Sequence, residues 1–234
     1  MLDFIAIQKQ LSTRHDLYGT IHRALRKAET DLLTRLGALD AGDAAAVTAI
    51  VADFRRLLVL ARFHLIDENE HIHTALEAVR PGATDEFAHD HEDHERSFEE
   101  IEAILAKIEA ASGSERRNLV RALYLRYTRF VADDFAHMLE EETELQPLLQ
   151  SVFSDAELAA IEGRIIASIP PDVMLDFIRI MVPAIDPDAR QEMLTGMMHG
   201  MPAEAFHMVL ATAVKPVLAD TDWRRLDTGL RATA

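Results

Sequence analysis

The chain has 234 residues, a net charge of −16 and no cysteine, which closes off disulfides, thiolate metal sites, iron–sulfur clusters and cysteine nucleophiles. The acidic balance argues against nucleic acid, because a phosphate backbone is met by clustered lysine and arginine and no basic stripe is present. Hydrophobic residues make up 49% of the chain, enough for a sizeable core, yet no apolar stretch is long enough to span a membrane and no leader sequence is visible, so a cytoplasmic location is expected.

Met1-Leu2-Asp3-Phe4 reads as the approach to a helix. Apolar residues then recur at alternating spacings of three and four through four long segments, the pattern of helices that each bury one face. The first is predicted from Ser12 to Leu39, with Tyr18, His22, Leu25, Glu29, Leu32, Leu36 and Leu39 along one seam. Asp43 is placed to cap the second, which is predicted to continue to Val79 with Val47, Ile50, Phe54, Leu57, Ala61, His64, Glu68, Ile72, Ala75 and Val79 inward. Pro81-Gly82 breaks it. The third, Thr84 to Ala110, carries Phe87, His91, His94, Phe98, Ile101, Leu105 and Ile108 on its seam. Between Asp85 and Glu109, ten acidic residues against Arg96 and Lys107 give this helix a solvated outer face. After Ser112-Gly113-Ser114 the fourth helix, Glu115 to Gln150, places Leu119, Leu123, Phe130, His137, Glu141, Leu145 and Leu148 inward. Long helices joined by short connections predict an all-α fold, an antiparallel up-down-up-down four-helix bundle over residues 1–150.

Beyond residue 150 the texture changes. Ser154-Asp155-Ala156-Glu157 is a capping-box pattern that opens a shorter helix. Pro170-Pro171, Pro183, Pro187, Gly200, Pro202 and Pro216 then divide residues 151–234 into an appended region of short helices. Seven of the nine methionines fall here: Met174, Met181, Met193, Met197, Met198, Met201 and Met208. They read as adaptable core filler that also permits a protein partner or a homo-oligomer. His199 and His207 lack any pairing like those upstream, and residues from Trp223 onward are expected to fray.

The chemistry sits on the inward seams. His64 and Glu68 form a His-x-x-x-Glu that recurs as His137 and Glu141, and residues four apart on a helix share a face. The repeat extends beyond these pairs: Ile72 answers to Leu145, and Ala75-Leu76 to Leu148-Leu149. His22 on the first seam and His91 and His94 on the third complete a set of imidazoles and carboxylates where leucines are expected. Buried groups of this kind are costly unless paired or bound to metal. Imidazole with carboxylate suits iron, manganese or zinc. Two carboxylates able to bridge, with about five histidines, suffice for two metals, and iron fits best. His15, His71, His73 and His89 fall outside this shell, His71 and His73 at most lining an access path, while Asp134 is placed to orient a ligand.

In these residues the chain resembles the hemerythrin-like (HHE cation-binding) family, through His22 within Ile21-His22-Arg23-Ala24-Leu25-Arg26, the two His-x-x-x-Glu pairs and the intervening histidines, over roughly residues 10–150. The resemblance implies a bundle enclosing two non-haem iron ions. Carried over by position, His22 and His64 are terminal imidazole ligands, Glu68 and Glu141 bridge, and His137 serves from the fourth helix. The third helix departs from the oxygen carriers, in which the histidines stand four apart. Here Asp90 stands four before His94, so either His91 and His94 both bind, or one binds and a position stays open. The departure argues for binding or sensing of O2, peroxide or nitric oxide rather than simple carriage. A peroxidase-like or iron-donating repair protein is the alternative, and from another class a structural bundle with one zinc or no metal.

Overall fold

A computed structural model describes residues 14–233, which form helices joined by short connections, with no strand among them. The helices are α1 (Gly19–Gly37), α2 (Ala44–Asp67), α3 (Asp85–Ala110), α4 (Gly113–Glu140), α5 (Asp155–Ser168), α6 (Pro171–Met181), α7 (Pro187–Gly200), α8 (Ala203–Val209) and α9 (Asp220–Thr233). Three of them do not stop where their regular part ends. A π-helical turn, Glu68–His73, carries α2 into Thr74–Glu77; another, Glu141–Leu145, carries α4 into Gln146–Val152; a third, Leu210–Val214, extends α8. The described residues form two compact units, 14–19 with 28–168 and 20–27 with 169–233.

The helix boundaries have local causes. The Asp43 carboxylate accepts from the backbone N–H groups of Ala45 and Ala46 at 2.9 and 3.1 Å, capping α2 as predicted. Past α2, the Glu77 carboxylate accepts from Gly82 N, Thr84 N and Thr84 Oγ1, which closes the turn before α3. Gly82 sits there at φ 83°, a conformation that glycine adopts without steric cost. Ser154 and Glu157 form the capping box that opens α5, Ser154 N and Oγ both donating to Glu157 Oε2. The start of α1 differs from the prediction. Ser12 and the Met1–Phe4 approach lie outside the described residues, and helix begins only at Gly19. The Asp16 carboxylate accepts from Tyr18 N and Gly19 N, and Arg14 donates to Gln150 O and Phe153 O, so residues 14–18 are held as a loop.

In the first unit, α3 runs opposite in direction to both α2 and α4. Along α2 and α3, Arg55 pairs with Glu102 and Glu109 while Arg62, one to two turns on, pairs with Glu95. Along α3 and α4, Glu100 meets Arg126, Phe98 meets Phe130 and Asp90 meets His137. Tyr127 Oη on α4 donates to Glu29 O on α1 at 3.4 Å. The ion pairs are largely exposed and contribute little, roughly 0–1 kcal/mol each; the apolar seams hold the helices. Phe54, Phe98, Ile101, Leu105, Leu123 and Tyr127 are all essentially inaccessible to solvent. The seam ends one turn earlier than predicted, because Val79 is 53% exposed.

α5 closes one end of this unit. Leu158 and Ile161 pack with Tyr18, Ile72, Leu76, Phe87, Leu145 and Leu149. Ser168 Oγ at its last residue donates to Asp67 Oδ1 at 3.1 Å, and burial pushes the Asp67 carboxyl up to about 6. The second unit has its own core of Ile178, Val182, Leu194, Phe206, Val209, Ala213, Val214, Leu226 and Leu230. Met174, Met193, Met197, Met198 and Met201 pack against that core, the filler role read from the sequence. The expectation of fraying from Trp223 is overturned: α9 runs to Thr233, held by Leu226 and Leu230, one turn apart and both buried.

Candidate metal centre

Four residues on three helices bring ligand atoms within 4.8 Å of one another: Glu68 from the end of α2, His91 from α3, and His137 and Glu141 from α4. His91 Nε2 stands 3.5 Å from Glu68 Oε2 and 3.9 Å from Glu141 Oε1, and His137 Nε2 is 3.5 Å from Glu141 Oε1. A second set of four, under the same 4.8 Å limit, comprises His22, His64, Glu68 and Glu141. Within it, His64 Nε2 lies 3.2 Å from Glu68 Oε1. Glu68 and Glu141 belong to both sets. They are 2% and 0% exposed, and His22 is fully buried.

The outward nitrogens of two histidines are already committed. His91 Nδ1 donates to Asn69 Oδ1 at 2.9 Å and His137 Nδ1 to Asp90 Oδ2 at 3.3 Å, since a carboxylate can only accept. With hydrogen on Nδ1, each ring presents its Nε2 lone pair inward, and those two atoms are 3.1 Å apart beside two carboxylates. Lone pairs and carboxylates converging at buried positions repel one another, and a shared cation relieves that repulsion. Burial drives the His91 pKa down to about 3, opposed by Glu141 and reinforced by His137, His73 and His94, so the ring is a neutral donor near pH 7. The donor set therefore fits a metal ion.

The π-helical turns place these groups. On each strip a polar or apolar inward residue recurs every four positions: His64, Glu68, Ile72, Leu76 on one and His137, Glu141, Leu145, Leu149 on the other. In a regular α-helix three steps of four overshoot by about 120°, which would swing Leu76 and Leu149 off the seam. A wider turn beginning at Glu68 and at Glu141 absorbs the drift, and Ile72, Leu76, Leu145 and Leu149 are all buried.

Of the seven residues singled out in the sequence, six fall into these two sets. His94 does not: its Nδ1 lies 3.6 Å from Asp134 Oδ1, and its ring meets Phe130 and His137 edge-on. Asp134 thus faces His94, while the residue that orients His137 is Asp90, across the helix interface. Sequence reasoning missed the contacts of Asp90 and Asn69, because second contacts between helices leave no periodic mark; His73, placed outside the ligand shell, lies in neither set and is buried. Tyr18, expected to pack, is 1% exposed, and burial followed by the charges of Glu141 and Glu68 raises its phenol pKa well above the ordinary value. No described helix is long and apolar enough to cross a membrane.

Comparison with known proteins adds a distant relationship. The chain is 28% identical over 166 residues to a zinc finger BRUTUS-like protein of Arabidopsis thaliana, a match covering 69% of this chain and 13% of that protein. Another zinc finger BRUTUS-like protein of the same plant is 23% identical over 188 residues, covering 80% of this chain and 15% of its own length. The matched region is a small part of either relative. No protein-family model matches the sequence, and no solved structure matches it. The chain is similar to one part of these BRUTUS-like proteins and, lacking cysteine, offers its candidate metal positions imidazole and carboxylate alone.

Proposed function

We propose that this chain is a hemerythrin-like protein that holds two non-haem iron ions in an antiparallel up-down-up-down four-helix bundle and binds or senses O2 or a related small oxidant. The observation that carries the reading is the sharing of Glu68 and Glu141 between two buried sets of ligand atoms. A carboxylate common to two sets is what bridging requires, and each set contributes two imidazoles of its own. His22 and His64 would hold one ion, His91 and His137 the other, with residues 1–150 supplying every ligand. His94 would act beside the second ion rather than on it. The similarity to BRUTUS-like proteins is compatible with this reading without naming a substrate. A cytoplasmic setting belongs to the same proposal, in which the Met-rich region of 151–234 would meet any protein partner.

The iron pair, when bound, would supply the electrons for handling a small oxidant. The rest is the work of this chain. Asn69 and Asp90 fix the tautomers of His91 and His137 so that both Nε2 lone pairs face inward. Phe87 and Phe130 wall the imidazoles on the apolar side. Tyr18, neutral by burial, and the packed core around Ile72 and Leu145 keep water out.

The reading is tested on protein purified without added metal, reduced anaerobically and then exposed to air. The appearance of visible absorption characteristic of an oxidised, bridged iron pair is the expected result. A colourless protein holding one zinc would instead support the structural alternative.

A further inference from the structure

The internal repeat runs at a constant offset of 73 positions, from His64 and Glu68 to His137 and Glu141. The same offset sets His73 against Gln146, and both are buried, at 4% and 0% exposure. Gln146 has an evident use: its Nε2 donates to His15 O at 2.8 Å and its Oε1 accepts from Leu17 N at 3.3 Å. His73 has no such use. Neither of its ring nitrogens has a hydrogen-bond partner, although a buried polar group without one costs free energy. Its ring is stacked on His91, with centroids 5.0 Å apart and planes within 14°, and Phe87 stands 6.4 Å away. His73 nevertheless belongs to neither ligand set, so its nitrogens stand outside the group that converges on Glu68 and Glu141.

On the di-metal reading given above, we propose that His73 is the specificity residue for a small guest at the second metal position, donating a ring N–H to an anion or oxygen-class ligand lodged beside His91. The surroundings select that chemistry. A neutral imidazole offers one donor and one lone pair. The His91 ring covers one face of His73, and Phe87 stands tilted beside it. The guest must bring lone pairs, one for the metal ion and one for the His73 N–H, because carboxylates and imidazole lone pairs nearby offer it no further donor.

The test titrates the iron-loaded full chain with azide, followed by absorption, in wild type, His73→Phe and His73→Gln, with iron per chain counted in each. Iron content is expected to stay unchanged in both variants. Azide affinity should fall roughly tenfold or more in His73→Phe, the scale of a hydrogen bond to a charged group, and recover largely in His73→Gln, whose amide donates from a similar place. Undiminished azide affinity in His73→Phe would reduce the residue to packing and overturn the proposal. Loss of iron from that variant would make His73 a ligand and overturn it equally. Wild-type protein without iron would overturn the di-metal reading itself, so the two failures are told apart by the wild-type count. His73→Leu carries the same comparison should His73→Phe not fold.

Discussion

Glu68 and Glu141 differ from every other buried acid in being common to both ligand sets, and this asymmetry sets what single substitutions should do. His91→Ala removes a ligand from one set only, and the expected result by elemental analysis is a chain that keeps about half of the wild-type metal. Tyr127 carries a second residue-scale prediction. Burial first, then the charges of Glu29 and Asp134, raise its pKa well above the ordinary value. The folded chain keeps this proton where the unfolded chain loses it, so the contribution is full below about pH 10 and is lost as pH rises above that. Tyr127→Phe gives up the long bond to Glu29 O, a loss of about 0.5–1.5 kcal/mol near neutral pH. In urea denaturation the gap from wild type should narrow or reverse above about pH 10; a gap that widens there would contradict the assignment. At this scale the sequence was informative about ligand atoms on the seams. It was silent about Asn69 and about the bond of Asp90 to His137, contacts that exist only once α2, α3 and α4 are side by side.

The helices were legible because their seams are long and periodic, and their ends because Asp43, Pro81-Gly82 and Ser154-Asp155-Ala156-Glu157 are chemical punctuation. The π-helical turns were not read, although the strict spacing of four from His64 to Leu76 and from His137 to Leu149 is the signal that demands them. The loop before α1 escaped for another reason: Asp16, Arg14 and the distant Gln146 and Gln150 hold it, and periodicity does not register such contacts. Two stability measurements check the elements. Asp43→Ala leaves Ala45 N and Ala46 N without their acceptor and should cost about 0.5–2 kcal/mol. Leu158→Ala empties the contact of α5 with Ile72, Leu76, Leu145 and Leu149, and should cost about 2–5 kcal/mol by chemical denaturation. A loss well under 1 kcal/mol for Leu158→Ala would mean that α5 is not part of that core.

Across the whole molecule, a net charge of −16 opposes compaction, and exposed ion pairs such as Arg55 with Glu109 recover little of it. The metal-free chain should therefore melt at a higher temperature as salt is raised from about 0.01 M to about 0.1 M, where the Debye length falls from about 30 Å to about 10 Å. Metal bound at the proposed site is expected to act in the same direction and more strongly, by binding the folded chain and neutralising Glu68 and Glu141 where they converge. The central claim is that two ions share those two carboxylates. Its most direct measurement is iron per chain, by elemental analysis, in the wild type and in Glu141→Ala, with folding verified by circular dichroism. Two irons in the wild type and fewer than one in the variant are the predicted result. Fewer than one iron in the wild type, or an undiminished pair in Glu141→Ala, would contradict it.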